Sequence, residues 1–93
     1  MREADLQAMV VQAARYLGWT VYHTHDSRRS EPGFPDLTLV RAGRLAFVEL
    51  KTARGRVRPE QAAWLALLAE VPGVVARVVR PDDVDALIEE VLR

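Results

Sequence analysis

The chain has no cysteine, no surplus of charge of either sign and no long apolar run. Without cysteine there can be no disulfide, no thiolate zinc site and no thiol nucleophile. No apolar stretch approaches the roughly 18 residues that a membrane span requires, so no membrane partner is expected. Hydrophobic residues still make up 49% of the chain, too many for a disordered segment. A length of 93 residues suffices for one modest core and not for two. The expectation is a soluble, cytoplasmic globular domain.

Neutrality here is cancellation. Residues 28–58 carry Arg28, Arg29, Arg41, Arg44, Lys51, Arg54, Arg56 and Arg58 against Glu31, Asp36 and Glu49, a balance of +5. Residues 1–27 stand at −1 and residues 59–93 at −4. A local basic field attracts a polyanion whatever the total, because charges beyond about a Debye length are screened. Arginine supplies seven of those eight cations, and its planar fork suits bidentate contact with phosphate. Arg28, Arg29, Arg54, Arg56 and Arg58 are the candidate contacts to a phosphate backbone. A solvated loop surface is the competing reading.

The hydropathy pattern divides the chain into seven elements. Leu6, Met9, Val10, Ala13, Ala14 and Leu17 recur at helical spacing, and Gly18 follows as a stop, which predicts a helix over 2–17. Residues 19–24 read as a strand and residues 25–35 as a polar loop. Two further strands, over 36–41 and 44–51, flank Ala42-Gly43, a pair suited to a tight hairpin turn. Pro59 stands where a first-turn proline is favoured and opens a helix running to about residue 70. Val74 to Val79 reads as a buried strand. Asp82 is the expected N-cap of a last helix carrying Val84, Leu87, Ile88, Val91 and Leu92. The order α-β-β-β-α-β-α is an α/β fold. The helix between the third and fourth strands makes them parallel neighbours, so the sheet should be mixed.

The hairpin carries the chemistry. A two-residue turn at 42 and 43 sets Val40 opposite Leu45 and Thr38 opposite Phe47, and therefore Asp36 opposite Glu49. Like charges directly opposed across strands are unfavourable. Lys51 emerges on the same face, about 6.6 Å beyond Glu49. This arrangement is costly for a fold and useful for a divalent cation. Mg²⁺ takes oxygen ligands and keeps several waters, so Asp36, Glu49 and the backbone carbonyl of Leu50 suffice as a protein ligand set. Lys51 could position or deprotonate an attacking water, or stabilise a pentavalent transition state.

These residues resemble a known family. Pro35-Asp36 followed by Glu49-Leu50-Lys51 matches the PD-(D/E)xK nuclease signature. Gly33-Phe34-Pro35-Asp36, with Gln61 on the next helix, is similar to the VRR-NUC branch, which includes small virus-encoded stand-alone nucleases. The resemblance runs from Glu3 to about Val79. It implies a restriction-endonuclease-like αβββαβ core, here with a C-terminal helix, and a single nuclease domain over 1–93. It also implies Mg²⁺-dependent hydrolysis of DNA phosphodiester bonds, with Mn²⁺ as a substitute. The substrates would often be branched, Holliday-junction-like DNA in replication, repair or recombination. Asp36 and Glu49 would be metal ligands, Lys51 the catalytic lysine, Gln61 an additional polar site residue and Glu3 the acid of the first helix. Spacing alone leaves two alternatives open: Gln61 may equally cap the turn after Pro59, and Glu3 may serve the helix dipole. Arg58 occupies a position where a Ser or Thr N-cap is expected. His23 and His25 lack a third ligand and are a weak zinc signal, so loop histidines are the commoner reading.

Ala62 to Ala69 is apolar on every side of its helix, as in helices buried all round. A chain this short has little room for that, which predicts a homodimer through the helix around Trp64. The rival functional readings are a DNA-binding subunit that does not cut and a restriction-like or nicking nuclease for ordinary duplex.

Overall fold

The computed structural model describes residues 1–25 and 29–93; Arg28, one of the candidate DNA contacts, lies outside them. Helix α1 (Glu3–Tyr16) is followed by strands β1 (Thr20–His23), β2 (Leu37–Arg41) and β3 (Arg44–Leu50). Helix α2 (Pro59–Ala69), strand β4 (Val74–Val79) and the short helix α3 (Val84–Leu87) complete the order. The strands form one sheet in the order β1-β2-β3-β4. The first two pairings are antiparallel, while β3 and β4 run parallel across the α2 crossover, so the sheet is mixed as expected.

Register follows from the turn. Ala42 and Gly43 both have positive φ, 46° and 79°, which is the backbone twist that a two-residue hairpin needs. Val40 pairs with Leu45 and Thr38 with Phe47, as the sequence predicts. Helix α1 ends in a Schellman cap, with Trp19 N–H donating to Ala14 O (3.0 Å) and Gly18 N–H to Arg15 O (3.0 Å).

The two faces of the sheet are covered differently. Leu6, Val10 and Ala14 of α1 join Leu37, Leu39, Ala46, Val48 and Leu50 of the strands and Val84, Leu87, Val91 and Leu92 of the C-terminal segment in one buried cluster. Helix α2 packs on β3 and β4. Here the Phe34 ring lies edge-on between Phe47 (centroids 5.7 Å) and Trp64 (5.1 Å). Such aromatic pairs add to the stability that burial alone supplies.

One expectation needs correction. The last helix is not one regular helix capped by Asp82. It is a 3₁₀ turn (Pro81–Asp83), one α turn and a π turn (Ile88–Leu92). Its N-cap is Arg80, whose N–H donates to the Asp83 carboxylate at 2.9 Å. Carbonyls of the final turn are held by the sheet side: Leu92 O accepts from Trp19 Nε1 (2.9 Å), just before β1, and from Arg41 (3.0 Å) at the end of β2. Arg44 donates to Val91 O and Arg93 O and stacks on the Trp19 ring at 4.9 Å. Arg41 and Arg44, counted above in the basic segment, therefore hold the C-terminal helix.

Helix α2 is covered within the chain on one side only. Gln61 and Leu65 are buried, and Trp64 is engaged within the chain through Phe34 and a 3.2 Å bond from its indole N–H to Pro32 O. The face that stays bare is Ala62, Ala63, Ala66, Leu67 and Ala69, with Leu67 60% exposed. No helix among the described residues is long and apolar enough to cross a membrane.

Candidate active site

The β2–β3 ladder ends at Leu37 and Val48, one step short of the acid pair. Beyond that point the carboxylates replace the ladder. Asp36 N–H donates to Glu49 Oε1 (3.2 Å), and Leu50 N–H donates to Asp36 Oδ2 (2.7 Å). Each acid thus satisfies a backbone donor that the parting strands would leave unpaired. Thr24 fixes the other side of Asp36: its N–H donates to Asp36 O (2.8 Å) and its hydroxyl to Pro35 O (2.8 Å). Lys51 Nζ stands 3.8 Å from Glu49 Oε2, with the two side chains only 14% and 3% exposed.

Burial, and then the neighbouring Asp36 charge, push the Glu49 carboxyl up from 4.5 to about 7; Lys51 offsets only part of that. Two adjacent carboxylates short of compensating positive charge suit a hard divalent cation that retains waters. Among the described residues no three of His, Cys, Asp and Glu group closely enough to hold a metal, so Glu3 does not complete a carboxylate cluster with the pair.

A cavity of about 790 Å³ opens over the pair and is lined by Asp36, Glu49, Lys51, Gln61, Glu3 and Arg58. All five candidate catalytic side chains therefore share one cavity. Gln61 caps α2, its Oε1 accepting from Arg58 N–H at 2.9 Å, and its buried side chain also lines the cavity. That bond also explains why Arg58 can occupy the N-cap position, because Gln61 supplies the cap. The Arg58 guanidinium pairs with Glu60 at 3.2 Å.

Arg29, Arg54 and Arg56 are exposed and do not line the cavity. His23 and His25 line it, with ring centroids 5.1 Å apart, as do Gln7 and Glu60. Their i, i+2 spacing at the end of β1 was the available signal, since it puts both on one side of the chain.

Gly33 explains how the loop reaches α2. Its φ is +92°, and a Cβ there would stand 2.6 Å from the backbone of Glu60 and 2.9 Å from Gln61 N. Only glycine lets the loop touch the first turn of α2. That contact brings Pro35-Asp36 and Gln61 to one site.

The VRR-NUC domain family model matches residues 3–82. A solved structure titled "VRR_NUC domain" is 27% identical, with a TM-score of 0.78 over 96% of each chain. A second, titled "VRR_NUC domain protein", shares the fold at 20% identity, with a TM-score of 0.75 over 96% of this chain and 86% of that one. No curated protein matches. The fold is of nuclease type, its acid pair and lysine stand where the parting hairpin strands put them, and the chain belongs to the VRR-NUC family.

Proposed function

We propose that the protein is a divalent-metal-dependent endonuclease that hydrolyses DNA phosphodiester bonds, selective for branched, Holliday-junction-like structures and acting in the cytoplasm. The observation that carries this reading is the pair of buried Glu49 and half-buried Asp36, each carboxylate accepting a backbone N–H across the hairpin, with Lys51 3.8 Å from Glu49 in the cavity wall. Asp36, Glu49 and the Leu50 carbonyl would hold Mg²⁺, with Mn²⁺ as a substitute. When bound, the cation supplies Lewis acidity and neutralises charge developing on the phosphate. Lys51, held by Glu49, positions the attacking water and adds positive charge beside the phosphoryl oxygens. Water adds to phosphorus as the bond to the leaving sugar oxygen breaks. Gln61 and Glu3 supply polar wall positions. Arg58, Arg54, Arg56, Arg29 and Arg28 contact the backbone, which makes binding salt-dependent.

A second copy covers the bare α2 face around Leu67, giving a homodimer with two sites for two strands. A monomeric mass by light scattering at micromolar concentration contradicts the dimer.

The test is incubation with four-way junction, splayed-arm and linear duplex DNA, with and without Mg²⁺ or Mn²⁺. Metal-dependent cleavage favouring the branched substrates supports the reading. Equal cleavage of linear duplex points instead to a restriction-like or nicking enzyme. Binding without cleavage of any substrate overturns the enzyme reading in favour of a binding subunit.

A further inference from the structure

The residue after β4 reaches back to the segment after the site lysine. Arg80 Nη1 donates to Thr52 O (2.7 Å), Gly55 O (2.8 Å) and, more weakly, Ala53 O (3.4 Å). These carbonyls belong to one tight turn, closed by Gly55 N–H on Thr52 O at 3.2 Å. The turn lies against the lysine: a Cβ at Gly55 would be 3.5 Å from Lys51 Cδ and 3.0 Å from Thr52 Oγ1. Arg80 is itself fixed, because its own N–H is held by Asp83 at 2.9 Å. Its predecessor Val79 accepts from Lys51 N–H at 3.1 Å. Consecutive residues at the end of β4 therefore hold Lys51 and the turn that follows it.

We infer that Arg80 is a positioning residue for nucleic-acid binding, an inference that rests on the nuclease reading above. Its guanidinium clamps the Thr52–Gly55 turn so that Arg54 and Arg56, which are exposed, form a ridge already shaped for backbone phosphates. Carbonyl oxygens occupy its Nη1 donor, which sets it apart from the arginines that the ridge presents. Without the clamp, the turn would have to be ordered when DNA binds, and that ordering opposes affinity.

A double-mutant cycle tests this. Binding of labelled splayed-arm DNA is measured by anisotropy in EDTA, beside melting curves that confirm folding. Arg80→Ala should weaken binding by about tenfold, a factor close to that for ordering one residue's backbone. In an Arg54→Ala/Arg56→Ala background the same substitution should cost less than about twofold, because the ridge it prepares is gone. Equal losses in the two backgrounds, or no loss in either, overturn the inference. Should Arg80→Ala fail to fold, Arg80→Lys carries the same cycle, with hydrogen exchange at the Gly55 amide as a second readout. Faster exchange confined to Gly55 and its turn supports the clamp, and unchanged exchange refutes it. Wild-type protein that binds no DNA defeats the nuclease reading itself, whereas wild-type binding without coupling defeats only the role of Arg80.

Discussion

The acid pair should make the metal-free protein less stable at neutral pH than in mild acid. Glu49 is almost fully buried beside Asp36, and its carboxyl is pushed from 4.5 to about 7. Between those values the folded chain holds a proton that the unfolded chain releases. Stability from this group is therefore fully present below about pH 4.5, declines as pH rises and levels off above about pH 7. The shift corresponds to roughly 3 kcal/mol. For a domain of this size that is more than about 10 °C in Tm. Other groups titrate in the same window, so the quantity to measure is the Tm of wild type minus that of Glu49→Gln, in EDTA, from pH 4 to 8. The difference should fall by about 10 °C or more across the window. A flat or rising difference refutes the reasoning, because it would mean that burial and Asp36 do not penalise the charged form.

Three other substitutions test parts of the fold. Gly33→Ala forces a Cβ into the backbone of Glu60 and should cost more than about 2 kcal/mol by denaturant melts, with loss of cleavage. Ala42→Asn should stabilise the hairpin by about 0.5–1 kcal/mol, since Ala42 sits at φ 46° where asparagine is better tolerated. Arg44→Ala should cost about 1–2 kcal/mol through its lost bonds to the C-terminal carbonyls and the Trp19 ring. Its affinity for DNA should stay within about twofold of wild type, because Arg44 serves the C-terminal helix.

What could be read in the sequence was local. The Ala42-Gly43 turn sets the register, and register sets Asp36 beside Glu49 because side chains alternate with a period of two residues. The α1 face was legible because its apolar spacing matches the helical period, and β4 from its β-branched run, although of that strand only Val79 is buried and the rest is half-buried. Contacts between distant segments were not legible. Gly33 is one glycine in a polar loop until α2 is placed against it. Arg80 lies in an acidic stretch, and nothing local links it to Thr52 and Gly55. Arg41 and Arg44 show why a charge count is ambiguous: arginine suits backbone carbonyls as well as phosphates, and only the fold says which it meets. Trp64 lies on a helix that is apolar all round, yet Pro32 and Phe34 engage it from within the chain. Asp83, rather than Asp82, caps the final segment because Pro81 starts a 3₁₀ turn whose third residue reaches back to Arg80 N–H.

The central claim is that Asp36, Glu49 and Lys51 form a phosphodiester-hydrolysing site. The most direct measurement is single-turnover cleavage of end-labelled branched DNA with Mg²⁺, by wild type, Asp36→Asn and Lys51→Ala at saturating protein. Wild type should cut, and each variant should bind the DNA while cutting at least about 100-fold more slowly. Cleavage by either variant at the wild-type rate, or none by the wild type, contradicts it.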